Sequence, residues 1–140
     1  MGVIYTMDCV EGMRKYLADE SVDLTVTSPP YDDLRKYNGY SWDFEGVAKE
    51  LYRATKQGGV VVWVVADQTY DYSESCSSFK QALYFKEQCG FNLWDTMIWD
   101  KGSPQAPTES RYYDIFEYMF VFSKGDRDRK SGSAGMPRPI

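Results

Sequence analysis

The strongest constraint on the fold is a run of seven consecutive apolar residues at positions 60–66. A strand that is apolar on both faces is typical of the centre of a parallel sheet that helices cover on both sides. The run is much too short for a transmembrane helix, which needs roughly 20 apolar residues. It therefore predicts a central strand, ended by Asp67, in a soluble α/β domain that has no membrane partner.

Three segments carry apolar residues at the three- and four-residue spacing of one helix face. They are residues 9–17, 44–55 and 79–89. Glycines follow the last two segments, and we expect Gly58-Gly59 to end the second helix and Gly90 to end the third. β-branched, alternating or strongly apolar segments predict three further strands, at residues 22–27, 91–99 and 115–122.

Strands thus alternate with helices along the chain, in the order helix, strand, helix, strand, helix, strand, strand. This order implies right-handed crossovers and a doubly wound, Rossmann-like α/β sheet, mostly parallel with an antiparallel pair at its far edge. The 140 residues suffice for one small domain. We expect that domain to cover residues 1–124, and residues 125–140, rich in Gly, Ser, Pro and charge, to form a disordered tail.

The composition excludes several classes of protein. The chain has no histidine and three scattered cysteines, so no metal site is predicted, and zinc hydrolases, Ser-His-Asp hydrolases and Cys-His proteases are excluded as usually built. Together with acidic residues near the N-terminus, which argue against a signal peptide, this indicates a reduced, cytoplasmic protein. The net charge of -5 argues against a basic protein that coats nucleic acid, and any contact with DNA must come from local basic spots.

Ser28-Pro29-Pro30-Tyr31 follows the strand predicted at residues 22–27. In a doubly wound sheet, ligands bind beyond the carboxyl ends of the strands. The two prolines fix φ and lack N–H donors, so the local carbonyls are held stiffly as acceptors beside a hydroxyl and an aromatic ring. These groups suit a planar ring that bears an amino group. The alternative is a proline turn with a half-buried tyrosine and no ligand.

Four blocks in a fixed order give the chain a resemblance to a known family. They are residues 7–9, residues 23–31 with the Thr-Ser-Pro-Pro-Tyr signature, residues 58–67 and residues 116–125. Over residues 3–125 the chain resembles the amino-group DNA methyltransferases, which methylate cytosine N4 or adenine N6. The resemblance implies a Rossmann-like methyltransferase sheet, S-adenosylmethionine as cofactor, and DNA with a flipped target base as partner.

The resemblance also implies roles for particular residues. Ser28 and the carbonyl of Pro29 would hold the target amino group and Tyr31 would stack on the flipped base. Together with Pro30, these are the predicted catalytic residues. The predicted cofactor-binding residues are Asp8, Thr27, Ser28 and Asp67. The first of these could equally be the N-cap of the first helix. Basic side chains in loops beside the expected cleft could contact phosphates, namely Arg35, Lys36, Lys101 and Arg111.

The chain departs from the family at the cofactor loop, because no Phe-x-Gly-x-Gly stretch follows a strand. The block order resembles the permuted subgroup in which the catalytic half comes first. We therefore expect the chain to be the catalytic half only. Its expected partner is a complementing chain that carries the missing parts, or a second copy of itself in a homodimer. The alternatives are a truncated module that binds DNA or dimerises without catalysis, and a methyltransferase for protein glutamine or RNA bases. Ser28 in place of Asn favours DNA cytosine N4, with adenine N6 next.

Overall fold

A computed structural model describes residues 1–30, 42–103, 110–112 and 115–126. The helices are α1 (Cys9–Tyr16), α2 (Phe44–Ala54) and α3 (Ser77–Leu83), the last of which continues into a π-helical segment at Tyr84–Cys89. The strands are β1 (Val22–Thr27), β2 (Thr55–Val65), β3 (Thr69–Tyr70), β4 (Ser73–Glu74), β5 (Asn92–Asp100) and β6 (Phe116–Ser123). No helix in these ranges combines the length and the apolar character that crossing a membrane would need.

Four strands form one sheet in the spatial order β1, β2, β6, β5. β1 pairs with β2 in parallel, whereas β6 lies antiparallel between β2 and β5. Three of the four strands therefore run in the same direction, and the antiparallel β5–β6 pair forms one edge. This confirms the predicted Rossmann-like sheet with an antiparallel pair at one edge, although only one of its three strand pairings is parallel. The structure adds a short β3–β4 hairpin. β1 forms the other edge, and no other strand of the described ranges pairs with it.

An acidic N-cap residue precedes each of the first two helices. Asp8 accepts a hydrogen bond from the backbone N–H of Glu11 at 3.0 Å, and Asp43 accepts one from that of Gly46 at 2.9 Å. Such N-caps satisfy donors that have no partner within the helix. Gly90 ends the π-helical segment as predicted, with a φ of +98° that glycine adopts without strain.

The prediction that Gly58-Gly59 ends the second helix is wrong. Helix α2 ends earlier, and Thr55 is already extended and pairs with Val22 of β1. The next aligned pair is Leu24 with Val60, so β2 carries extra residues opposite β1 and forms a bulge. Gly58 has a φ of +78° within this bulge. The two glycines therefore belong to the bulge in β2 and do not end helix α2.

The core lies on one face of the sheet. Trp63 of β2 and Phe122 of β6 are buried against Phe85 of the π-helical segment, with ring centroids 4.9 Å and 4.7 Å from that of Phe85. Trp63 also donates a hydrogen bond from Nε1 to Oε1 of Gln81 at 2.9 Å, which satisfies its single polar side-chain atom. Side chains of α1, α2 and α3 join the same buried cluster.

The opposite face of the sheet is apolar but uncovered by the described helices. Val62 of β2 is aligned with Val26 of β1 and Val121 of β6, and Val26 is exposed. The sequence predicts helices on both faces of the sheet. Within the described ranges α1, α2 and α3 all pack on the core face, so helices cover one face only. The central position of β2 in the sheet is as predicted.

Candidate active site

A pocket of about 270 Å³ lies at the carboxyl end of β1. β1 and the residues that follow it supply one side of this pocket, with Thr25, Thr27, Ser28, Pro29 and Pro30. Helices α1 and α2 supply the other side, because both pack on the core face of the sheet. The structure thus brings four predicted site residues together at one pocket.

The end of β1 forms the polar rim of the pocket. Ser28 is exposed, whereas Pro29 is buried. Neither Pro29 nor Pro30 has an N–H group, so the backbone at these two positions offers only acceptors. The rim therefore suits a ligand group that donates hydrogen bonds, such as an exocyclic amino group. Tyr31, the predicted stacking residue, lies outside the described residues.

Aromatic and aliphatic side chains form the remaining wall. The rings of Trp42 and Trp63 stack with centroids 6.5 Å apart and planes inclined by 21°. Met13 of α1 and two side chains of α2 complete this wall. Such a wall favours an aromatic ring system as ligand. The indole Nε1 of Trp42 is buried and has no hydrogen-bond partner among the described residues, so the wall also holds an unused donor.

The volume of the pocket is sufficient for one ring system. Pockets that enclose a whole drug-sized ligand measure about 300–1,000 Å³. A volume of about 270 Å³ fits one ring system with small substituents, such as a nucleobase or the adenine ring of S-adenosylmethionine. Since β1 is an edge strand, no strand of the described ranges flanks the pocket beyond it.

The two carboxylates predicted to bind the cofactor do not line this pocket. Asp8 is exposed and caps α1, directly before Cys9, which does line the pocket. Asp67 accepts hydrogen bonds from the backbone N–H of Ser78 at 2.7 Å and from the hydroxyl groups of Ser75 and Ser78. These bonds connect the end of β2 to the start of α3. Both carboxylates have a structural role, and cofactor binding stays a prediction for each.

The basic residues predicted to contact phosphates divide into two groups. Lys101 forms an ion pair with the buried carboxylate of Glu117, and Arg111 donates a hydrogen bond to the backbone carbonyl of Tyr72. A DNA phosphate would have to compete with these partners inside the chain. The other two, Arg35 and Lys36, lie outside the described residues.

Sequence reasoning does not identify Cys9 and Met13 as pocket residues, although their spacing places them on one face of α1. Only the packing of α1 beside β1 shows where that face points. Partial burial raises the pKa of the Cys9 thiol, and the neighbouring Asp8 carboxylate raises it further. Cys9 is therefore a neutral thiol at neutral pH and forms part of the wall, without the thiolate character of a nucleophile.

Known sequences match most of this chain. The sequence model of the N6/N4 DNA methylases matches residues 22–135. The orphan methyltransferase M.BamHII of Bacillus amyloliquefaciens is 66% identical over 113 residues, which are 81% of this chain and 42% of M.BamHII.

Solved structures share the fold over only part of their length. The PvuII DNA methyltransferase, described as cytosine-N4-specific, matches with a TM-score of 0.73 and 22% identity over 96% of this chain and 54% of its own. A DNA modification methylase of Thermus thermophilus, solved with S-adenosylmethionine, matches with a TM-score of 0.62 and 23% identity over 94% of this chain and 55% of its own. The chain thus spans about half the length of these relatives. Because the family model matches most of its residues, the chain belongs to the N6/N4 DNA methylase family.

Proposed function

We propose that this chain is the catalytic part of a DNA methyltransferase that transfers a methyl group from S-adenosylmethionine to the exocyclic amino group of cytosine or adenine. The supporting observation is the pocket at the end of β1, where Ser28, Pro29 and Pro30 form a rim of acceptors beside stacked aromatic rings. A target base flipped out of DNA presents a flat ring and an amino group, which are the two features that this pocket matches. The protein would act on DNA in the cytoplasm.

The chain's own residues would act by binding and orienting the target. The hydroxyl oxygen of Ser28 and the carbonyl oxygen of Pro29 would each accept a hydrogen bond from the amino group. These bonds favour a tetrahedral nitrogen, whose lone pair is less delocalised into the ring and more nucleophilic. S-adenosylmethionine, when bound, supplies a methyl group on a positively charged sulfur. Ser28 and Pro29 would hold the nitrogen in line with that methyl group, and the amino group would lose one proton to solvent as it is methylated.

This reaction needs positioning more than a strong base, which agrees with the lack of histidine in the sequence. Flipping a base out of the duplex costs a few kcal/mol. Stacking on an aromatic side chain contributes about 1–3 kcal/mol per base and offsets part of that cost. Trp42 provides such a surface at the pocket, and Tyr31 would add a second if it lies where the resemblance implies.

Cytosine N4 is the favoured target. Serine as the first residue of the signature favours cytosine N4 over adenine N6. The PvuII enzyme, which has the same fold, is described as cytosine-N4-specific. Adenine N6 is the second candidate. Mass spectrometry of nucleosides from treated DNA separates N4-methylcytosine from N6-methyladenine and decides between them.

A non-catalytic role is the second candidate function. It is favoured by the lack of a Gly-rich cofactor turn in the sequence. In that case the chain would bind DNA or dimerise without methyl transfer. Calorimetry with millimolar S-adenosylmethionine separates the two functions, because the catalytic half predicts weak binding and an interaction module predicts none.

Ser28→Ala tests the role of the rim. Removing one hydrogen bond that strengthens in the transition state lowers turnover by about 10²–10³-fold, and we expect the lower end because the Pro29 carbonyl remains. Ser21→Ala is the matched control, since Ser21 precedes β1 at its other end and its hydroxyl donates to the carbonyl of Ala18 at 2.6 Å. Turnover is measured on DNA with radiolabelled S-adenosylmethionine, adding the remainder of M.BamHII if the chain alone is inactive. Equal turnover of the two variants would disprove the role of the rim.

A further inference from the structure

We infer that the ring of Tyr72, at the tip of the β3–β4 hairpin, is a wedge: it stacks between the bases of DNA and fills the space left by the flipped target base. The inference deepens the proposed function and rests on it, because a wedge has this use only where a base leaves the duplex. It assigns a positioning role to a residue that does not line the pocket at the end of β1.

The backbone of the hairpin turn is the first observation. β3 and β4 pair so that only Asp71 and Tyr72 lie between them. Both have positive φ values, 45° and 68°, as in a type I′ turn. Aspartate is common at the first of these two positions, whereas the second strongly favours glycine. A tyrosine there is strained, and strained backbone of this kind is concentrated at binding and catalytic sites.

The side chain at this strained position is the second observation. Tyr72 is 96% exposed, so its ring buries almost nothing within the described part of the chain. Tyr70, the other tyrosine of the hairpin, is 47% exposed, and its hydroxyl donates a hydrogen bond to Oε1 of Gln68. The turn thus carries a strained tyrosine whose ring adds little to the stability of the fold. Such a ring is suited to a contact outside the chain.

Hydrogen bonds hold the hairpin in place at its base and at its tip. At the base, the backbone N–H of Ser75 donates to the carbonyl of Gln68 at 2.7 Å, and the Ser75 hydroxyl donates to Asp67 at 3.2 Å. At the tip, Arg111 donates to the backbone carbonyl of Tyr72 itself. These bonds fix the hairpin before any ligand binds. A wedge that is already ordered loses little conformational entropy when it inserts.

The hairpin lies at the same end of the sheet as the pocket. Thr27 of β1 is aligned with Trp63 of β2, and both line the pocket. β2 ends two residues beyond Trp63, at Val65, and the hairpin begins at Thr69. Neighbouring strands are about 4.8 Å apart, so DNA bound over the carboxyl end of β1 also meets the segment that follows β2. The ring and the pocket can therefore act on the same duplex.

The charge of the hairpin determines which part of DNA it can contact. Asp71 and Glu74 are exposed carboxylates, which phosphates repel. Arg111 is already engaged with the Tyr72 carbonyl. The contact that remains is the Tyr72 ring against the flat faces of bases, which stack on aromatic side chains irrespective of sequence. Inserting a side chain between base pairs has a cost in unstacking, and that cost is lower where a flipped base has left a gap.

Binding to DNA that lacks one base tests the wedge, because an abasic site offers the same gap without any flipping. The 140-residue chain is titrated against a fluorescein-labelled duplex with one abasic site and against the intact duplex, and anisotropy gives both dissociation constants. An ionic strength of about 0.15 M screens charge interactions beyond about 8 Å. We expect the abasic duplex to bind about tenfold more tightly, which is the effect of one base–aromatic stacking contact.

Tyr72→Gly removes the ring and introduces the residue that the turn favours. It should abolish the preference for the abasic duplex and leave binding to the intact duplex unchanged, and Tm should not fall. Tyr72→Phe keeps an aromatic ring and should keep the preference. Tyr16→Ala is the matched control, because Tyr16 is 43% exposed at the C-terminal end of α1 and does not line the pocket; it should bind both duplexes as the unchanged chain does.

Three binding results would overturn the inference: equal binding of the two duplexes by the unchanged chain, a preference that Tyr72→Gly retains, or an equal loss of preference in Tyr16→Ala. A marked fall in the Tm of Tyr72→Gly would also count against it, since the ring would then stabilise the fold.

Ser28→Ala separates this inference from the proposed function, because Ser28 lies at the pocket and not on the hairpin. It should slow methyl transfer and keep the preference for the abasic duplex. An unchanged chain that shows this preference but transfers no methyl group would count against the proposed function and leave the DNA contact of Tyr72 supported. Methyl transfer without the preference would overturn the wedge alone.

Discussion

Replacing Arg53 by methionine should loosen helix α1, and with it one wall of the pocket. The Arg53 guanidinium donates hydrogen bonds to the backbone carbonyls of Met13 and Leu17, each at 3.0 Å, at the C-terminal end of α1. It also forms ion pairs with Glu50 at 2.8 Å and Asp19 at 2.7 Å. The Met13 carbonyl also accepts the backbone N–H of Leu17 at 3.0 Å, so Arg53 is its second donor. A positive charge is favourable at the C-terminal end of a helix.

The size of the effect follows from these contacts. The Arg53 side chain is 29% exposed, so water replaces part of what is lost, and each charged hydrogen bond to a carbonyl contributes about 1.5 kcal/mol, the lower end of its range. The pair with the exposed Asp19 contributes little. Buried Glu50 keeps Arg14 as a partner at 3.2 Å, so it is not left unpaired. The loss should be about 3–4 kcal/mol, a large part of the roughly 5–15 kcal/mol of a typical domain.

Urea denaturation at neutral pH, followed by tryptophan fluorescence, measures this loss. Hydrogen bonds to Asp19 and Glu50 raise the pKa of Arg53, so its guanidinium is charged throughout the experiment. Arg14→Met is the matched control, because the Arg14 side chain is 63% exposed and pairs only with Glu50 among the described residues; it should lose less than about 1 kcal/mol. For Arg53→Met, Tm should fall by about 10 °C. A difference between the two variants below about 0.5 kcal/mol would refute the reasoning.

Two further predictions concern the pocket and the β2 bulge. Millimolar S-adenosylmethionine should slow alkylation of Cys9, which lines the pocket, but not of Cys76, which does not, as followed by mass spectrometry at mildly alkaline pH; an unchanged rate at Cys9 would contradict binding of S-adenosylmethionine in this pocket. Gly59→Ala should lower the free energy of unfolding by about 1–3 kcal/mol, because its Cβ would lie 2.7 Å from Cγ2 of Thr55 and 2.9 Å from a backbone oxygen. Gly2→Ala, with open space around it, is the control, and equal Tm values would contradict the steric argument.

Local sequence patterns predict the helices and strands but not which strands become neighbours. β1 has the predicted bounds, because the strand pattern of its side chains lies within six consecutive residues and can be read locally. The position of β6 between β2 and β5 depends on distant pairs such as Trp63 with Phe120. The same limit explains Gly58-Gly59. Two glycines after a helix resemble a C-terminal stop, and only the register of β2 against β1 reveals a bulge.

The polar part of the candidate site is predictable from sequence, whereas its apolar part is not. Ser28-Pro29-Pro30 directly follows a strand, and the rule for the carboxyl ends of strands places it at a ligand site. Met13 and Trp42 come from other parts of the chain, and no local pattern shows that they face β1. Asp67 shows the opposite case. An acid after a strand fits either a ligand contact or a structural cap; its bonds from Ser75 and Ser78 show the second role, and the first stays a prediction.

The acidic charge of the chain bears on how DNA would be held. Affinity for DNA comes mainly from basic side chains that neutralise phosphates, yet the net charge here is -5, and both Lys101 and Arg111 are engaged inside the chain. If the chain is the catalytic part of a DNA methyltransferase, these two residues contribute little to holding DNA, and other basic residues of this chain or of a longer relative must do so. Adding the remainder of M.BamHII should therefore strengthen DNA binding and make it depend more steeply on salt concentration, since each new phosphate contact releases counterions.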